Sequence, residues 1–537
     1  MYDIIIKNGA VIDGTGSALV HKDVAIQGDR IAAIGDLQHE GSRRVVDATG
    51  MYVAPGFVDI QNHSDAYWSL FDRPSLQSMS RQGITTILVG NCGVSLAPLL
   101  SSQALLSIQK WHQVKGLNSN WVSFKEYLEE LSKKRYGTNV ASLVGYSTLR
   151  RGLLGDDNRQ LNSDEVKKIS KVLRQSLQEG AFGLSTGLSY AHEAMAGETE
   201  LAELARVVAE EDGLFSIHLR SEGAEMLESI AEVLSLASSA AIAEQRKMPK
   251  PLNLKISHFK IRGKDNWHLL KHAFEQLENA YQKIGNIHFD AYPYDFTWQV
   301  LYSYLPRWSY EGGRVILLKN LEDPIKRKKI LDYLKSKDVR YPELFIAGTS
   351  VELNAAGKTL GNIARRLEST SEEALLSLIE HGGSDVMVFE KNLNPQEVRQ
   401  ILDHPLSMVA TDGSAFGQEA KGTDELVHPR CFGSMPEFLH MALEENLMSI
   451  EEAVHKISGI PAMKMGLKDR GILKTGNYAD LAIFSADISS SSTMESPYRF
   501  PKGMEFVILN GELTVDKGQS TDSLSGVVLK KENNNRA

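Results

Sequence analysis

Apolar residues along this chain fall into two patterns. From residue 57 to residue 411, short apolar runs recur at Phe57–Ile60, Ile84–Val89, Val140–Val144, Ala181–Leu184, Leu214–His218, Leu252–His258, Ile287–Tyr292 and Ser407–Thr411. Segments of helical periodicity lie between them, among them Ser163–Gln178, Thr199–Glu211 and Gly223–Arg246. Runs that lack polar alternation suit strands buried on both faces, and helices following such strands imply a parallel sheet covered on both sides. Eight strand candidates predict a (β/α)₈ TIM-type barrel. Ser163 is read as the N-cap of its helix, with Glu165 in the first turn.

The chain ends carry a different rhythm. Ile4–Ile6 and Val11–Ile12 flank an Asn8–Gly9 turn, and Val24–Ile26 and Ile31–Ile34 flank Gly28–Asp29 as a hairpin would. Short strand-like segments return at Gly471–Leu473, Ala479–Phe484 and Phe506–Gly511. The two ends together predict a small β-sandwich. The expected organisation is residues 1–54 and 466–522 for the sandwich, 55–465 for the barrel, and a polar, disordered tail at 523–537. The interval from Tyr294 to Ser407 is too long for one crossover helix, so an insertion at about 295–405 is placed as a lid.

Composition narrows the function class. Of 537 residues, 42% are hydrophobic and 24% charged, as in an ordinary soluble globular protein, and this length predicts two domains or one elaborated barrel. A net charge of −9 argues against nucleic acid or an anionic membrane as partner, since both demand basic surface. No apolar stretch has the length of a membrane span, and the N-terminus does not read as a secretory signal. Two cysteines, Cys92 and Cys431, cannot build a disulfide framework and fit a reducing cytoplasm.

Candidate chemistry gathers at one end of the strands. His63 follows the first, Cys92 closes the second, His218 and His258 end the fifth and sixth, and Asp412 ends the eighth. Strand ends form the floor of a barrel's active site. Thiolate and imidazole are preferred zinc ligands, and three of them plus water make a catalytic zinc site, which Cys92, His218 and His258 would supply. Gln61, two residues before His63, breaks what would otherwise be a metal-binding His-X-His.

Several stretches together resemble the N-acyl-D-amino-acid deacylase (D-aminoacylase) family of the amidohydrolase superfamily. They are Ala54–Asp59, Gly90–Gly93, Gly180–Leu188, His218–Gly223, Ser257–Lys260, Tyr292–Tyr294, Thr411–Gly413, His428–Arg430 and the closing Gly476–Leu481. The resemblance implies a zinc-dependent amide hydrolase acting on a small-molecule N-acyl amino acid. It implies that Cys92, His218 and His258 hold a tightly bound zinc, with His63 at a weaker second position, and that Asp412 is the catalytic acid/base. Lys260, Tyr292 and Arg430 match residues that grip the substrate carboxylate. Gln61 departs from the family pattern, and Trp298 falls near an expected serine contact. Those departures leave open a different amidohydrolase activity, on a cyclic amide or dipeptide-like substrate, or a catalytically silent barrel retained for binding.

Overall fold

The computed structural model describes residues 1–108, 119–155, 157–243, 251–310, 313–337, 339–348, 355–382, 386–417 and 426–532. Eight parallel strands form the centre: Phe57–Asp59, Ile84–Val89, Asn139–Ser142 continued by Val144–Gly145, Gly183–Gly187, Leu214–His218, Asn253–Ile256, Ile287–Ala291 and Ser407–Val409. They pair in sequence order. The ring closes where Asn62 bridges Gly413 in parallel and His63 N donates to Gly413 O at 2.8 Å. Asp59 pins that seam, accepting from Thr411 N at 2.9 Å and from Thr411 Oγ1 at 2.6 Å. The eight apolar runs therefore make a closed (β/α)₈ barrel.

Inside the barrel, Val58, Leu88, Leu143, Leu214 and Met408 form an apolar layer that packs on Ile460 and Met465 from the helix Gly459–Met465. A polar layer of buried side chains, including Gln61, Lys255 and Asp290, lies among the strands as well. Helices such as Ser163–Gln178, Glu198–Glu210, Met226–Ala243 and Leu270–Ile284 cover the outside. The first of these begins one residue earlier than predicted, because Asn162 rather than Ser163 is the N-cap. The Asn162 side chain accepts from the backbone of Asp164 and Glu165, and Glu165 returns a bond to the Asn162 N–H. The helix predicted from Gly223 begins at Met226, and its predicted end at residues 244–246 lies outside the described residues.

The two chain ends meet in one sheet. Met51–Pro55 pairs with Leu481–Ser489 antiparallel, in register Val53↔Ile483. That sheet continues through Lys502–Leu509 on one side and Ala10–Val11 on the other. A second sheet of four strands, built from Tyr2–Lys7, Asp23–Gln27, Arg30–Gly35 and Ser42–Asp47, completes the small domain. Ile6, Val24 and Val46 from one sheet share a core with Val53, Ile483 and Ile508 from the other. Gly471–Leu473 is not a strand. It is a loop whose Leu473 N donates to Asp13 O at 2.9 Å while the side chain enters the sandwich core.

The tail also departs from expectation over its described part. Gly526 bridges Tyr136, Val528 bridges Val140, and Lys531 N donates to Gly180 O. Polar composition hid this because the backbone, which every sequence possesses, makes those contacts. Residues 533–537 lie outside the described residues.

Between the seventh and eighth strands, Thr297–Val300, Phe345–Gly348 and Met387–Glu390 form an antiparallel sheet with helices packed around it. Leu301, Leu321, Ile330, Leu334, Leu375 and Val388 belong to its separate apolar core.

Candidate metal centre and active site

The chain turns sharply where the second, sixth and eighth strands end, and there Cys92, His258 and Asp412 adopt φ of 52°, 35° and 46°. Left-handed backbone is unfavourable for residues with a Cβ. It aims these side chains inward over the barrel instead of along the strand pleat. The first turn needs its glycines. A Cβ on Gly90, at φ 79°, would lie 2.3 Å from Leu143 O, and one on Gly93 would lie 2.9 Å from Gly187 N.

Cys92, His218 and His258 come together as predicted, with ligand atoms within 4.8 Å of one another. Cys92 Sγ lies 3.3 Å from His258 Nε2, which lies 3.2 Å from His218 Nδ1. The opposite ring nitrogens are engaged outward. His258 Nδ1 is 2.9 Å from Glu222 Oε1, and His218 Nε2 is 3.0 Å from Ser189 Oγ. Metal-binding histidines are oriented by such bonds from the far nitrogen, often to a carboxylate. The donor set, one sulfur and two imidazole nitrogens with anchored rings, fits zinc.

His63, Cys92 and Asp412 form a second group with ligand atoms within 4.8 Å. His63 Nε2 lies 3.1 Å from Asp412 Oδ1, and Arg430 Nη1 lies 2.9 Å from Asp412 Oδ2. Gln61 faces the same space, its Nε2 donating to Cys92 Sγ at 3.1 Å.

Charges in this buried cluster stabilise one another. Burial alone raises the Cys92 thiol, but the nearby His258 charge and bonds from His218, His258 and His63 outweigh it and hold the group well below the usual thiol range. Burial likewise opposes ionisation of Asp412, yet Arg430, His258 and His63 keep its carboxyl well below the ordinary range. Glu222 is depressed too, against its burial, by Lys260 and His258. Burial and Lys260 work against protonation of His258, but Asp412, Cys92 and Glu222 raise it to about 10. The cluster is thus built to hold thiolate, carboxylate and positive charge together.

The remaining predicted residues line the same cavity, which has a volume of about 650 Å³. Tyr292 Oη is buried with no hydrogen-bond partner among the described residues. Arg430 lies over the Tyr292 ring, its guanidinium carbon 4.7 Å from the centroid, and its Nε is also unpartnered among those residues. Lys260 arrives already engaged, donating to Glu222 Oε1 at 2.5 Å and to His258 O at 2.9 Å. From the insertion, Trp298, Tyr304, Tyr341 and Met387 wall the cavity.

Sequence reasoning missed Glu222, Lys255 and Asp290 as members of the site. Lys255 did carry a signal, since a lysine inside an apolar strand run must find a buried partner. It has close ones in Gln61 Oε1 at 2.5 Å and Asp290 Oδ2 at 2.6 Å, with Ser257 Oγ farther off at 3.4 Å.

Residues 44–277 and 393–515 match the amidohydrolase family. The D-aminoacylase of Alcaligenes xylosoxydans xylosoxydans is 29% identical over 98% of this chain and 97% of its own length. The N-acyl-D-glutamate deacylase of the same organism is 31% identical over 95% of this chain and 93% of its own. Among solved structures, the N-acyl-D-glutamate deacylase of Bordetella bronchiseptica, complexed with zinc and a phosphonate mimic of the tetrahedral intermediate, superposes with a TM-score of 0.82 at 28% identity, covering 98% of this chain and 99% of that one. The unmatched interval between the two family segments contains the inserted sheet and its helices. With barrel, sandwich and strand-end cluster all in place, this chain belongs to the amidohydrolase family.

Proposed function

We propose that this chain, a zinc-dependent hydrolase of amide bonds, removes the acyl group from N-acyl-D-amino acids, giving a carboxylate and the free D-amino acid. The observation that carries the reading is the convergence of Cys92, His218 and His258, with ligand atoms within 4.8 Å, beside the ionised Asp412. Full-length similarity to a D-aminoacylase and an N-acyl-D-glutamate deacylase supports the substrate class.

Cys92, His218 and His258 would hold the zinc, with Glu222 and Ser189 fixing the two imidazole rings. When bound, zinc supplies a Lewis acid that lowers the pKa of water and polarises the amide carbonyl. Asp412 accepts the proton of the attacking water and delivers it to the departing amine nitrogen. Arg430 and Tyr292 receive the substrate carboxylate through the donors that no described residue uses, and Lys260 adds charge from the rim of the ligand set. Arg430 also grips Asp412 at 2.9 Å. A substrate carboxylate that shares Arg430 loosens that grip and returns basicity to Asp412 when substrate is present.

The reading divides the chain into a sandwich of residues 1–54 and 466–522 and a catalytic barrel of 55–465, with the insertion walling the cavity. Among the described residues no helix is long and apolar enough to cross a membrane. A thiolate ligand and a second free cysteine, Cys431, suit the reducing cytoplasm. The test is a panel of matched N-acyl-D- and N-acyl-L-amino acids and cyclic amides, with zinc content measured on the same protein. Turnover of the D series is expected. Preference for the L series, or turnover of cyclic amides alone, overturns the substrate assignment.

A further inference from the structure

Two ligand groups overlap in this cavity and share Cys92, so by donor count alone the centre could take two metal ions. Gln61 decides otherwise. Its amide lies between Cys92 Sγ and Lys255 Nζ, and the two ends of an amide differ chemically. An ammonium has three donors and no acceptor, so only the amide oxygen can face Lys255. Lys255 Nζ donates to Gln61 Oε1 at 2.5 Å, which leaves Nε2 to donate to Cys92 Sγ at 3.1 Å.

We propose that Lys255 is a positioning residue that locks Gln61 with its NH₂ group toward Cys92 and thereby closes the second metal position, leaving a centre with one zinc. The locked NH₂ offers no lone pair to a cation and directs partial positive charge at Cys92 Sγ, the atom that the two ligand groups share. Cys92, hydrogen-bonded to Gln61, would then hold one zinc together with His218 and His258. His63 and Asp412, 3.1 Å apart, remain a proton-handling pair, with Arg430 on the other oxygen of Asp412.

The lock cannot swing aside. Gln61, Lys255 and Asp290 are all fully buried. Asp290 Oδ2 takes Lys255 Nζ at 2.6 Å, and Oδ1 takes the backbone N–H of His258 at 2.9 Å, so the lysine is fixed to the strand end that carries a zinc ligand. A buried ammonium persists only with partners of this kind.

The inference rests on the zinc reading above, and metal stoichiometry separates the two. The protein as purified should retain one zinc per chain after dialysis. Exchanged into cobalt, it should show a thiolate-to-cobalt charge-transfer band that saturates at one equivalent. Gln61→Glu keeps an oxygen for Lys255 but turns a second oxygen toward Cys92. It should tighten binding of a second equivalent by about 10–100-fold, the range that outer partners of metal ligands carry. Lys255→Met combined with Asp290→Asn removes the lock without stranding a charge, and should act in the same direction. Gln61→Met removes the N–H···S bond and the NH₂ group together, and should both shift the charge-transfer band and tighten binding of the second equivalent. Two tightly held ions in the unmodified protein overturn the proposal and leave the zinc reading standing. So does unchanged stoichiometry in Gln61→Glu, a variant that retains every buried partner of Lys255. Absence of metal from every protein overturns both.

Discussion

Cys92, His258 and Asp412 are three site residues held at positive φ, between 35° and 52°. Each such conformation costs about 1–3 kcal/mol and persists only where surrounding structure enforces it. Here the enforcement is mutual, because the side chains so presented form the buried charge cluster. Asp412 is its pivot, bonded to His63 on one oxygen and Arg430 on the other. Asp412→Asn keeps the shape but removes proton acceptance. It should lower kcat by about 10²–10⁴-fold, the usual worth of general acid–base catalysis, with zinc content unchanged. Near-normal turnover would take Asp412 out of the chemistry. Arg430→Lys preserves charge but not the planar fork needed for bidentate carboxylate binding. It should raise KM for N-acyl-D-amino acids more than it lowers kcat. An unchanged KM in steady-state assays would mean that the carboxylate is held elsewhere.

At the scale of elements, the helix Ser163–Gln178 shows how local chemistry sets boundaries. Its capping box runs from Asn162 to Glu165, and both partners are near neighbours in sequence. Serine and asparagine are comparable caps, so two candidates side by side left the boundary ambiguous by one residue. Asn162→Ala should cost about 1 kcal/mol in a urea-unfolding experiment and leave kinetic constants alone, whereas Ser163→Ala should do little. The reverse ranking would restore Ser163 as the cap. The inserted sheet behaves differently. Its strands pair with one another in the order Thr297–Val300, Met387–Glu390, Phe345–Gly348, so the register depends on contacts across dozens of residues. Only the excess length of that interval was visible beforehand.

For the whole molecule, the sandwich joins the two ends of the chain beside the barrel. Ile483, fully buried, pairs with Val53 across that junction. Ile483→Ala leaves a cavity and should destabilise the protein by about 2–5 kcal/mol, read as a lower urea midpoint, with catalysis intact in the folded fraction. A midpoint unchanged within error would mean that the junction adds nothing to stability. The sequence by itself determined the barrel, because eight buried strands must appear as apolar runs whatever their neighbours. It also marked the candidate site residues, because Cys92, His218, His258 and Asp412 sit at ends of those runs, and a barrel brings one end of every strand to one face. Tertiary structure alone decided how these side chains are held. Glu222 behind His258, Asp290 beneath Lys255, and Lys255 against Gln61 are pairings between different strands or loops. The direction of the Gln61 amide is decided the same way, since its two ends are equivalent in size and only an ammonium reached through the fold tells them apart.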